Sequence, residues 1–106
     1  MAEFVTTESL RDGACTVAVT GEVDIASVDE LLTRARDCLD AGATAVELDL
    51  AGVTFIDSSG LGALVRIRNE ARDRGAAFEV RNIPDQVERL LSVTGLSAAF
   101  RPESGS

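Results

Sequence analysis

Asp57-Ser58-Ser59-Gly60-Leu61-Gly62 is the segment of this chain most able to do chemistry. An acidic residue and two hydroxyls stand at the start of an apolar-periodic stretch that reads as a helix, directly after a strand-like run ending Phe55-Ile56. A helix start presents unpaired backbone N–H groups and a partial positive charge, so it accommodates an anion. A phosphate esterified to a serine there is one such anion, which makes Ser58 and Ser59 candidate acceptors. Gly60 and Gly62 would leave the approach to the serines open to another protein's backbone, at some cost in helix stability. The plainer reading is that Asp57 or Ser58 caps the helix. One residue can do both.

Other chemistries fit this segment poorly. Gly60-x-Gly62 is followed by Val65 where a dinucleotide fingerprint needs its third glycine, and no Gly-Lys-Ser/Thr triplet exists for a phosphate-binding loop. The sequence contains no histidine, so neither serine has an imidazole base. Asp24 and Asp57 could in principle pair as carboxylates, but acids flanking helix starts are more often caps or solvated groups, and an enzyme is not expected. No cofactor is expected either. Zinc lacks ligands in sequence, with no histidine and no clustered cysteine pair. Cys15 falls in a strand pattern and Cys38 in a helix pattern, and both read as buried small hydrophobes rather than as a disulfide.

Around the candidate site, hydrophobic periodicity outlines the elements that must hold it. Two strands, Val5 to Ser9 and Cys15 to Thr20, flank Arg11-Asp12-Gly13, a hairpin signal. Ser27-x-x-Glu30 reads as a capping box opening a helix to about Leu39, with Val28, Leu31, Leu32, Ala35 and Leu39 apolar and Gly42 as its stop. Ala45 to Leu50 and Phe78 to Arg81 alternate as strands with one wet face. Ser58 to about Arg74 is the second helix, ended by Gly75. A third begins with Pro84 at its first position, uses Val87, Leu90 and Leu91 for core packing, and stops at Gly95.

The order β-β-α-β-α-β-α predicts a single α/β domain, a mixed sheet of four to five strands with helices mainly on one face and strands two to four parallel. Connections Asp24–Ala26, Gly52–Ser58 and Asn82–Pro84 would then leave the carboxyl ends of parallel strands and share one rim, where such sheets bind partners. The domain is expected to span residues 4–100, with 101–106 as a flexible tail.

Bulk composition narrows the partners. Eighteen acidic residues against ten basic ones, all arginine, leave a net charge of −8, which disfavours nucleic acid and anionic membranes. Four phenylalanines with no Trp or Tyr provide few stacking platforms. No apolar run approaches the ~20 residues of a membrane span, and the first residues lack the basic flank and hydrophobic core of a signal peptide, so the expected location is the cytoplasm.

Three motifs in order, Gly21-Glu22-Val23-Asp24, then Val53-Thr54-Phe55-Ile56-Asp57-Ser58-Ser59-Gly60-Leu61-Gly62, then Ile83-Pro84 through Leu90-Leu91-Ser92-Val93-Thr94-Gly95-Leu96, resemble the bacterial anti-sigma-factor antagonists of the STAS family. The resemblance spans roughly residues 4 to 100. It implies a switch in which the unphosphorylated protein binds an anti-sigma factor that is also a serine kinase of the histidine-kinase-like ATPase fold, releasing the sigma factor. Phosphorylation ends that binding, and a separate phosphatase resets it. The family's acceptor falls on Ser58, with Asp24 and Asp57 at the acidic positions beside it. ATP and magnesium belong to the kinase, and the free protein is expected to be a monomer. Expected partner contacts are Asp24, Ile25, Asp57, Ser58, Ser59, Gly60 and Gly62, with Arg66 a weaker candidate. The alternative is a STAS docking subunit of a larger signalling or lipid-transport assembly that has no phosphorylation cycle.

Overall fold

A computed structural model of the chain describes residues 4–96. The expected tail 101–106 and the end of the expected domain, 97–100, lie outside the described residues. The chain opens with strands β1 (Val5–Arg11) and β2 (Ala14–Val23), followed by helix α1 (Val28–Asp40) and strand β3 (Ala45–Ile56). Helix α2 (Ser58–Asp73), strand β4 (Ala77–Arg81) and helix α3 (Asp85–Thr94) complete it. Asp12 and Gly13 take φ of 53° and 84° between the first two strands, the double positive-φ turn that suits the twist of a hairpin. Thereafter β1 pairs antiparallel with β2, while β2, β3 and β4 run parallel in the order β1-β2-β3-β4.

One face of the sheet carries the core. Val17, Val19, Val46, Leu48 and Leu50 point under the helices, where they meet Leu31, Ala35, Leu64, Ile67, Val87 and Leu91, all essentially fully buried. The opposite face is a polar ladder. Thr16 donates to Glu47 Oε1 at 3.0 Å, Arg81 pairs with both Glu47 and Glu79, and Asn82 donates to Asp49 Oδ1 at 3.1 Å. The alternation read along Ala45 to Leu50 therefore has a physical counterpart on each side.

Three local expectations change. Strand β3 continues to Ile56, so the second connection shrinks from Gly52–Ser58 to the single residue Asp57. Gly52, Val53, Phe55 and Ile56 pair with the upper part of β2, through register shifts between Ala18 and Thr20 and between Gly21 and Glu22. Irregular pairing of this kind disrupts the alternation that would have marked the strand. Pro84 is the N-cap of α3 rather than its first residue, with extended backbone at φ −60°, ψ 150°.

The third change concerns the rim. Val23 and Ile56 are register partners, so β2 and β3 end level. Strand β4 stops lower, at Arg81 opposite Asp49, and Asn82–Pro84 therefore does not share their rim. Helix α3 occupies the space beside the upper part of β3, where Gln86 Nε2 donates to the Thr54 carbonyl at 2.7 Å.

Candidate functional site

Two chain segments meet where β2 and β3 end. The Asp57 backbone N–H donates to the Val23 carbonyl at 3.2 Å, tying the start of α2 to the residue before Asp24. Asp57 is the N-cap: its backbone is extended and its Oδ1 accepts from the Gly60 N–H at 3.1 Å. Ser58 is then the first helical residue, exposed, with Ser59 half-buried behind it. The aspartate consumes one of the free N–H groups of the first turn and leaves those of Ser58 and Ser59 outside the intrahelical ladder. No acidic residue occupies that first turn, and sixteen residues of helical dipole point their positive end at it.

The glycines have separate roles. A Cβ on Gly60 would stand 2.5 Å from Ile56 Cγ1 and 2.8 Å from the Val23 carbonyl oxygen, so Gly60 is buried because α2 begins pressed against both strand ends. It sets the seat of the helix and exposes no surface of its own. Nothing lies within 4 Å of the equivalent position on Gly62, which is exposed and open. Only Gly62 fits the expectation of an unobstructed approach.

Across the rim, the loop after β2 is held from within by Ser27. The expected capping box does not form, because the Ser27 side chain makes no cap hydrogen bond. Its Oγ instead turns back to accept from the Asp24 N–H at 3.0 Å and donate to the Glu22 carbonyl at 2.9 Å, and Glu30 lies near Thr6 of β1. The Asp24 carboxylate accepts from the Ala26 N–H at 3.0 Å. These bonds fold Asp24–Ala26 into a tight turn that leaves Ile25, a large apolar side chain, 76% exposed. Among the described residues Ser27 is the only buried polar side chain, at 7% exposure, and it is well satisfied.

Sequence reasoning missed Ser27 as an organiser of the rim and Phe55 as part of its surface. Phe55, register partner of Glu22, is 48% exposed at the top of β3. Its signal was a broken alternation, Thr54 and Phe55 both exposed between buried Val53 and Ile56. Arg66 is exposed two turns along α2 from Ser58.

At the other end of the sheet the reading of the cysteines is corrected. Cys15 and Cys38 are buried, as expected of small hydrophobes, but they are joined in a disulfide. An inward position of β2 and the inward face of the last turn of α1 pack with Cα atoms 5.8 Å apart, inside the usual bridging range. The fold thus clusters a cysteine pair that is dispersed in sequence, with the Glu8 carboxylate within 4.8 Å of both sulfurs. Bonded to each other, the sulfurs supply no thiolate to a metal.

The rim thus combines an aspartate-capped, exposed serine at the start of α2 with the Asp24 turn after β2. The family model described as "Mlab, STAS domain" matches residues 6–102. The chain belongs to the STAS domain family. The anti-sigma-B factor antagonist of Bacillus subtilis (strain 168) is 29% identical over 80 residues, covering 76% of this chain and 72% of that protein. Its counterpart in Staphylococcus epidermidis is 28% identical over 90 residues, covering 85% and 83%. Among solved structures, an anti-sigma factor antagonist from Mycobacterium paratuberculosis superposes with a TM-score of 0.82 at 26% identity over 92% of this STAS chain and 83% of its own. The antagonist SpoIIAA in its unphosphorylated form shares the fold, with a TM-score of 0.77 at 18% identity, covering 96% and 89%.

Proposed function

We propose that this STAS domain is an anti-sigma factor antagonist whose binding is switched off by phosphorylation of Ser58. The observation that carries the reading is the exposed Ser58 at the first position of α2, between an aspartate cap and the Asp24 turn. Unphosphorylated, the rim formed by Asp24, Ile25, Asp57, Ser58, Ser59 and Gly62, with Gly60 seating the helix, docks on an anti-sigma factor that is also a serine kinase. The sigma factor is thereby released. The kinase supplies ATP and magnesium, a phosphatase removes the phosphate, and the domain itself performs no catalysis. It works in the cytoplasm, free of nucleic acid and membrane, as a monomer until bound.

Electrostatics supports the direction of the switch. A phosphoryl group adds roughly −1.5 to −2 charges beside Asp24 and Asp57 on a chain already at −8. The α2 N-terminus receives that charge without refolding, whereas an interface formed around a neutral hydroxyl must desolvate or repel it. A penalty of about 3 kcal/mol lowers affinity about a hundredfold.

The test is incubation with the candidate anti-sigma kinase and ATP, read by intact mass for wild type, Ser58→Ala and Ser59→Ala, with affinity measured before and after. A single phosphate that requires Ser58 and weakens the complex about a hundredfold is expected. Tight binding with no phosphate would replace this reading by the constitutive docking subunit. Amide chemical-shift changes confined to the rim are expected on phosphorylation, and changes spread through the sheet would contradict a switch that leaves the fold unaltered.

A further inference from the structure

We infer that Cys15–Cys38 is a second covalent control site, a thiol–disulfide switch that governs how firmly α1 and the Asp24 turn are held while leaving the start of α2 unaffected. The bond joins residues 23 apart and closes a loop that contains nearly all of β2, the whole Asp24–Ala26 turn and α1 up to its last turn. Helix α2 and both serines lie outside that loop. Cys15 sits at the beginning of β2, eight residues before Val23, so the bond lies about 25 Å from the rim at strand rise. It therefore acts by restricting the chain that leads to the rim rather than by touching it.

Access to the sulfurs is restricted but present. Both cysteines are nearly fully buried, yet the strand that flanks them, β1, is an edge strand paired only with β2 and exposed over most of its length. Leu10, the register partner of Cys15, is 53% exposed. Local opening of β1 or of the last turn of α1 admits a reductant. The Glu8 carboxylate guards the pair and is itself ion-paired to Arg34 of α1 at 3.5 Å. Its charge repels the anionic thiolate that must approach either sulfur, slowing exchange in both directions.

Reduction consumes one dithiol. A thiolate of the reductant attacks one sulfur, the other leaves and takes a proton, and the reductant's second thiolate then breaks the mixed disulfide. Cys15 and Cys38 are left as thiols and the reductant as a disulfide. Oxidation is the same pair of exchanges reversed, with an oxidised dithiol as acceptor of the two electrons.

The experiment compares oxidised and dithiothreitol-reduced full chain, scored by alkylation and intact mass, by thermal unfolding and by hydrogen exchange. Equilibration with glutathione mixtures titrates the pair. Expected are two alkylated cysteines only after reduction, a melting temperature lower by roughly 10 °C or more, and exchange that quickens more across 24–40 than across 58–73. Glu8→Gln should speed reduction and reoxidation severalfold. Cys15→Val and Cys38→Ala, which keep small apolar side chains, should each resemble the reduced form and no longer respond to reductant. Free thiols across all glutathione mixtures, a melting temperature that reduction leaves unmoved, or loosening that extends equally to 58–73 would each overturn the proposal.

Discussion

The two ends of the sheet are made rigid by different means. At the rim, order comes from short-range polar bonds: an aspartate cap at 3.1 Å, a serine hydroxyl shared between Asp24 and Glu22, and a glycine that lets a helix begin against two strand ends. These bonds leave Ser58, Ile25 and Gly62 exposed. At the opposite end, order comes from a covalent bond between buried sulfurs and from apolar packing under α1. Polar capping fixes backbone without covering side chains, so Ser58 stays accessible at the start of α2. A cross-link and close packing hold the chain more firmly but bury the groups that form them.

That contrast breaks most visibly at the paired glycines. Gly60→Val should destabilise the domain by about 3 kcal/mol, because the added atoms meet Ile56 and the Val23 carbonyl at distances that force α2 away from the strands. Gly62→Ala should do the reverse. Nothing lies within 4 Å of its Cβ, so helix propensity alone adds about 0.5–1 kcal/mol, while the new methyl narrows the approach to the partner. Urea unfolding of both variants, with partner affinity measured for the second, checks the assignment of one glycine to packing and the other to access. Equal destabilisation by both would refute it.

A smaller effect is expected at Ser27. Removing its hydroxyl leaves the Asp24 N–H without its side-chain acceptor in a half-buried turn, and Ser27→Ala should cost about 1–2 kcal/mol. Partner affinity should fall with it, although Ser27 is too buried to touch a partner. If stability falls while affinity does not, the Asp24 turn is not part of the docking surface.

The smallest effect belongs to the sides of the helices. Arg36 holds Glu70 through two hydrogen bonds of 2.8 and 3.0 Å, linking α1 to α2. The hydrogen bond from Arg36 is the main reason the Glu70 carboxyl lies below its ordinary value, with the charges of Arg36, Arg66 and Arg74 acting in the same direction against desolvation. A depressed carboxylate contributes stability that is fully present above the unfolded pKa, about 4.3, and lost as pH falls through the lower folded value. The side chains are 39% and 31% exposed, enough for solvent to screen the pair, so Glu70→Gln should cost less than about 1 kcal/mol at pH 7. Most of that difference from wild type should disappear at about pH 3, as unfolding curves at the two pH values would show.

Much of this molecule was legible in one dimension because its signals are local. The Asp12-Gly13 hairpin, the 3.6-residue stripes of α1 and α2, the Gly95 stop with its φ of 77° and the aspartate before Ser58 each depend on neighbours a few residues away. Ser58 could therefore be placed at a helix start, with Asp57 as a candidate cap, from residue order alone. What depended on distant partners was misread or unseen. The Ser27-x-x-Glu30 pattern had the spacing of a capping box, but Ser27 found acceptors and donors in the incoming strand end and Glu30 faced β1. The upper part of β3 lost its alternation because β2 is irregular opposite it. Gly60 and Gly62 look alike in sequence, and only the packing of α2 against Val23 and Ile56 separates them. Cys15 and Cys38 became a pair only when α1 lay down on β2, since the proximity of side chains 23 residues apart is a property of the packed chain. Residue order determined the elements and placed a serine at the start of α2; tertiary contact decided which groups face the solvent, which face one another and which are joined.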